Sequence, residues 1–211
     1  MTAPVRRSPL AHRRPLAGGG AVRIAELPLR ALFSLRGEAD RMAESVGATL
    51  GLTLPGAVRE TVRGEGAAAL WLGPDEWLLV VEEAEASAKA AALETALGGT
   101  HHQLVELSDY YTAIDVRGPR ARDLLAKLVA VDLHPTRFGA GDVVATKLAK
   151  ATTWLWLTED EGRASGPSFS LFVRRSMADY AWCLLAEAGR EWGVEAQRPI
   201  GDVPLHRSGS G

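Results

Sequence analysis

The residues with most chemical potential are few: the adjacent pair His101 and His102, the carboxylates Asp109 and Asp115, the thiol of Cys183, and the basic pair Arg174 and Arg175. Adjacent histidines invite a metal ion, but neighbours on a strand point to opposite faces and do not share one ion. No third ligand stands at a recognisable spacing, so the two are expected at a surface or an interface. Asp109 and Asp115 suggest an acid and a base. On one strand they would share a face yet sit far apart, and Asp115 is expected as a solvated strand residue. Cys183 lies beside Trp182 with no evident histidine partner, so nothing marks its thiol as a nucleophile. Arg174 and Arg175 close an apolar run just before a helical pattern. That position suits an anion near a helix N-terminus, but a surface ion pair or a subunit contact is the expected use.

The chain carries none of the familiar catalytic and cofactor motifs. No GxGxxG follows a strand and opens a helix, Gly18-Gly19-Gly20 lacks the Lys-Ser/Thr of a phosphate loop, and GxSxG, CxxC and HExxH do not occur. The residues by themselves assign no enzyme activity.

The elements that would position these groups can be read from periodicity. Leu70-Trp71-Leu72-Gly73-Pro74-Asp75-Glu76-Trp77-Leu78-Leu79-Val80 reads as strand, tight turn, strand. Gly-Pro-Asp is turn chemistry and the flanks are apolar enough to be largely buried, so this is a core hairpin with two tryptophans bracketing its turn. Before it, 22–27 and 31–36 alternate as strands on either side of Pro28, 38–46 is a helix ending at Gly47, and 58–62 is a strand. After it, the alanine-rich 82–97 is a helix. In the second half, 104–107, 111–116, 143–148, 152–158 and 169–173 are strands. Pro119 opens a helix with apolar residues at Ala121, Leu124, Leu125, Leu128 and Val129. A last helix spans 177–192, with a capping pair at Ser176 and Asp179 and a buried stripe of Met177, Tyr180, Ala181, Leu184, Leu185 and Ala188. In Thr153-Trp154-Leu155-Trp156-Leu157 both faces are apolar. Such a strand is either covered on both sides or pressed against another protein.

With 211 residues the chain can form one domain or two small lobes with a real core. A net charge of −2 gives no bulk attraction to nucleic acid or to an anionic membrane. No apolar run is long enough to span a bilayer, and the N-terminal arginines precede no apolar segment of the kind a secretory signal needs. A cytoplasmic location is expected. A single cysteine rules out an intrachain disulfide. The expected organisation is a mobile N-terminal arm (1–20) rich in Pro, Gly and Arg, a first α+β lobe (21–100), a second (101–197), and a tail (198–211). The arm's other reading is a segment that orders on a partner.

Several blocks, in order, resemble one family. They are Glu26-Leu27-Pro28 leading to Leu35-Arg36-Gly37, the Trp71 to Val80 hairpin, Leu107-Ser108-Asp109, Gly118-Pro119-Arg120-Ala121-Arg122-Asp123-Leu124-Leu125-Ala126-Lys127, Asp132-Leu133-His134-Pro135, and Leu171-Phe172-Val173-Arg174-Arg175-Ser176 with Asp179-Tyr180. Together they are similar to the gamma subunit of heterotetrameric sarcosine oxidase. The stretch from Ser108 to Leu125 also resembles the wider aminomethyltransferase family of folate-binding proteins. Tyr110 and Tyr111 stand where basic residues are usual.

The resemblance implies an α+β fold, aminomethyltransferase-like, with two lobes of antiparallel sheet and packed helices. It implies a subunit of an oxidoreductase complex that demethylates sarcosine to glycine, hydrogen peroxide and formaldehyde, or methylenetetrahydrofolate. FAD, FMN, NAD, tetrahydrofolate and zinc would belong to the alpha, beta and delta partners, leaving this chain with no catalytic, cofactor or metal residues of its own. Arg7, Trp154, Trp156, Arg174 and Arg175 are then the candidates for a subunit interface. The alternative implied by the wider family is a stand-alone folate binder, in which Asp109 or Glu106 would face the ligand. A third is a scaffold that has lost its oxidase.

Overall fold

The computed structural model describes residues 6–160 and 165–199. The strands in chain order are β1 Leu16–Gly18, β2 Val22–Glu26, β3 Arg30–Gly37, β4 Thr61–Gly64, β5 Ala67–Gly73, β6 Glu76–Glu82, β7 His102–Glu106, β8 Tyr111–Arg117, β9 Val143–Leu148, β10 Ala151–Glu159 and β11 Ser168–Arg174. The helices are α1 Ala39–Leu50, α2 Ala86–Leu97, α3 Ala121–Ala126 and α4 Ala178–Ala188. The strands form two antiparallel sheets, in the orders β1-β2-β8-β11-β10-β9 and β4-β5-β6-β3-β7.

Alternation along the strands explains why the sheets stack face to face. In β10, Leu155 and Leu157 turn towards α3 and α4 and join Ile114, Leu171 and Trp182 in one core. Trp154 and Trp156 turn the other way, onto Phe172, Leu32, Leu70 and Leu78 between the sheets. On the second sheet's far side, Phe33, Leu35, Trp77 and Leu79 pack against Met42 and Val46 of α1 and Leu93 of α2. The layers run helix, sheet, sheet, helix, with an apolar cluster at each of the three junctions. β10 is therefore covered on both faces by its own chain.

The expected lobe boundaries do not coincide with the sheets. β2 falls in the first expected lobe but pairs with β8, with Ile24 opposite Val116. β7 falls in the second but pairs with β3, with Ser34 opposite Val105. Pro28, which has no N–H to give a ladder, lies where the chain leaves one sheet for the other. At the opposite end of β2, the turn after β8 needs glycine. Gly118 has φ +126°, and a Cβ there would lie 2.4 Å from the carbonyl oxygen of Ala21.

Residues 6–20, expected to be mobile, are seated on the chain itself. Leu10 is 1 % exposed in the core beneath α4. Arg13 reaches Asp179 at 2.6 Å and the carbonyl of Arg198 at 2.7 Å. Of the expected tail, all but Arg198 and Pro199 lies outside the described residues.

Two helix expectations also shift. α1 continues past Gly47 to a left-handed cap at Gly51, because Met42, Val46 and Leu50 repeat at i+4 and all are buried; that burial outweighs the roughly 1 kcal/mol penalty of an internal glycine. α4 has no side-chain N-cap, since Asp179 is drawn to Arg13 and His12. Its buried set includes Trp182, Cys183 and Ala186, while Tyr180, Leu184 and Ala188 of the expected stripe are half-buried. The arm covers a flank of this helix that the apolar stripe alone did not mark for burial.

Candidate functional site

Two places combine chemistry with access: a cleft between the sheets, and an arginine–tyrosine edge beside it.

The cleft encloses about 440 Å³. Inward-facing residues of β8 and β11 form one wall. Asp115, expected as a solvated residue, is 1 % exposed. It faces the second sheet because it alternates with Ile114 and Val116, which are committed to the helix-side core. Its carboxylate accepts from Arg117 Nε at 2.5 Å and from Ser168 Oγ at 2.8 Å. The same contact raises the pKa of Arg117, chiefly through the hydrogen bond to Asp115. Ser170, directly opposite Asp115 in the ladder, is 4 % exposed. Arg30 and Glu82, paired at 2.7 Å, stand on the opposing sheet. Arg63 lies over the Trp156 ring at 4.4 Å and donates to the Thr158 carbonyl.

The edge starts at Trp154. Tyr111 packs on it at 4.7 Å, Tyr110 meets Tyr111 edge-on at 4.9 Å, and the Arg174 guanidinium lies 5.3 Å from the Tyr110 ring centre. Tyr110 is 47 % exposed, one of few large apolar side chains open to solvent. Burial raises the pKa of Tyr111, against the opposing hydrogen bond and charge of Arg174. Arg175 donates to the carbonyl of Arg7 at 2.5 Å, while its Nη1 is buried without an acceptor. Among the described residues, Arg7, Arg174 and Arg175 form no ion pair. They leave a cationic fringe around an exposed aromatic ring.

The model of the family described as "Sarcosine oxidase, gamma subunit family" matches residues 36–191. The chain belongs to the sarcosine oxidase gamma subunit family. A sarcosine oxidase subunit gamma from Arthrobacter sp is 38% identical over 165 residues, covering 74% of this chain and 79% of the relative. A chain of the heterotetrameric sarcosine oxidase from Corynebacterium sp. U-96, solved in complex with pyrrole 2-carboxylate, superimposes with a TM-score of 0.78 at 32% identity. The match covers 92% of this chain and 99% of that one. The glycine cleavage system aminomethyltransferase T from Bartonella henselae, at 15% identity and a TM-score of 0.59, shares the fold over 79% of this chain and 46% of its own. The α+β, aminomethyltransferase-like expectation therefore holds.

Within this gamma-family chain the five residues proposed for an interface part company. Arg7 and Arg174 are exposed and Arg175 is half-buried, all at the edge just described. Trp156 is 7 % exposed between the sheets and Trp154 is half-buried against Tyr111, so Trp156 is removed from the docking surface. Its large face is used by the opposing sheet.

Asp109 and Glu106, the carboxylates considered for folate, point away from the cleft. Asp109 sits at the surface, paired with Arg6 at 2.8 Å, and Glu106 is exposed. His102 spends its ring nitrogens on the Thr100 carbonyl and Glu94. Among the described residues no group of three His, Cys, Asp or Glu is placed to hold a metal ion. Cys183 is buried, near Arg13.

Sequence reasoning missed Ser170, Arg6 and Arg122. Arg6 links Asp109 and Glu83. Arg122 is buried and donates to the Leu133 and Phe138 carbonyls while pairing with Asp160 at 2.7 Å. The available signal for Ser170 was a polar residue within the otherwise apolar run Phe169 to Val173, where nothing in a strand pattern requires it.

Proposed function

We propose that this chain is a non-catalytic gamma subunit of a heterotetrameric sarcosine oxidase. It supports oxidative demethylation of sarcosine to glycine, hydrogen peroxide and formaldehyde or methylenetetrahydrofolate. In this reading the alpha, beta and delta subunits carry FAD, FMN, NAD, tetrahydrofolate and zinc, and the assembly works in the cytoplasm. The observation that carries it is the end-to-end correspondence with one chain of a heterotetrameric sarcosine oxidase, 99% of which is covered. The physical support is the edge of Tyr110 and Arg174, with Arg7 and Arg175 behind it. An exposed aromatic ring beside a guanidinium that has no ion pair among the described residues is the composition of an interface anchor.

The test is a pull-down of the tagged chain from its source cells, followed by native mass spectrometry and a scan for flavin absorbance. The expected eluate is yellow, contains two larger chains and a small one, and makes peroxide when given sarcosine. A colourless lone chain from cells shown to express the oxidase would sink the proposal. Tyr110→Ala combined with Arg174→Glu is expected to weaken recovery of the larger chains at least about tenfold, as loss of an anchor worth about 2 kcal/mol or more would.

A further inference from the structure

The cleft between the sheets shares no lining residue with the proposed docking edge, and it has the features of a ligand site. The space arises because small residues replace large ones. Where Leu70, Leu78, Trp156 and Phe172 fill the junction, the sheets are closed; where Gly66, Ala68 and Ala113 line it, about 440 Å³ stays open. That volume lies in the range of pockets for small organic molecules.

The polar groups at its inner wall define the ligand's chemistry. The cations there are engaged: Arg117 with Asp115, Arg30 with Glu82, and Arg63 with the Thr158 carbonyl and the Trp156 ring. Unused capacity lies on the acceptor side. The Asp115 carboxylate has roughly four lone-pair positions and accepts from one donor at each oxygen, Ser168 and Arg117. Ser170 lines the cleft, and among the described residues its hydroxyl makes no hydrogen bond. A hydroxyl offers one donor and two acceptor positions to whatever enters the cleft. Asp115 and Ser170 face each other across adjacent strands, so their free acceptor positions converge on one spot. Val80 and Phe172 supply the apolar sides.

We propose that this cleft binds a compact, flat ligand with an N–H donor edge, of the amidine or amino-heterocycle class. The donor edge meets Asp115 and Ser170, and the apolar body lies between Ala68, Val80 and Phe172. The site does not depend on the subunit reading, since no cleft residue belongs to the docking edge.

4-Aminobenzamidine is a suitable probe, measured by equilibrium dialysis against the full chain. Saturable binding at one site per chain is expected, with benzoate, which has the same shape and the opposite charge, failing to compete. Ser170→Ala removes a hydroxyl that has no partner among the described residues. It is expected to leave the unfolding midpoint unchanged or raised while weakening the probe about three- to tenfold, the range for one lost hydrogen bond. Ala68→Leu, checked for a native circular dichroism spectrum, is expected to abolish binding by filling the floor. Absence of saturable binding, equal competition by benzoate, or binding unaffected by both variants would each overturn the assignment.

Discussion

Asp115 shows how one inward-facing carboxylate organises its surroundings. It gives Arg117 and the Ser168 hydroxyl their acceptor inside the sheet junction. Asp115→Ala leaves both without it, and a loss of about 1–3 kcal/mol is expected, read as a lower urea midpoint. Solvent reaches Arg117, which keeps the loss below that of a fully buried pair. Tyr111 gives a pH test. Its folded pKa is raised above the ordinary 10.0, mainly by burial. Below that ordinary value the phenol is neutral in both states and its contribution is complete. As pH rises further the unfolded chain ionises first and binds fewer protons, so stability falls through the folded pKa. Above pH 10.0 the native protein is therefore expected to lose stability faster than Tyr111→Phe, checked by urea titrations at stepped alkaline pH.

At the scale of elements, the N-terminal arm is a structural part of the core between the first sheet and helices α3 and α4. Leu10→Ala is expected to cost about 2–5 kcal/mol, as truncation of a fully buried leucine does. Asp179→Ala would release Arg13 and His12 together, and faster amide exchange in β1 and β2 is the expected readout. Gly118→Ala should lose at least about 1–3 kcal/mol, because the turn needs both a positive φ and a backbone approach that leaves no room for Cβ. Its urea midpoint should fall well below that of Gly99→Ala, where a Cβ meets nothing.

The whole molecule is two helix-backed sheets joined through one apolar seam. Trp156 is central to the seam, stacked 6.5 Å from Phe172 and capped by Arg63. Trp156→Ala is expected to cost about 3–5 kcal/mol and to lower the midpoint seen by circular dichroism and by tryptophan fluorescence alike. If the seam were dispensable, fluorescence would change and the midpoint would not. The insertion of the whole second sheet, β3 to β7, between β2 and β8 of the first argues for that cooperativity, because the first sheet is built from two separated stretches of chain.

The local elements were largely legible in the sequence. Alternation marked β2 and β3, Gly73-Pro74-Asp75 marked the β5–β6 turn, and the two-faced apolarity of 153–157 marked a strand either covered on both sides or pressed against another protein. These signals are local: side-chain period and turn chemistry act over a few residues. The blocks from Glu26 to Tyr180 carried the family. What the tertiary structure alone decided was partnership. Which sheet received β2, what covered Trp156, where Asp115 pointed and what held the arm all depend on contacts between residues far apart in the chain. Alternation states that a face is buried, but not against what. The exposed Asp109 and the buried Asp115 look alike in sequence; only the opposing sheet distinguishes them.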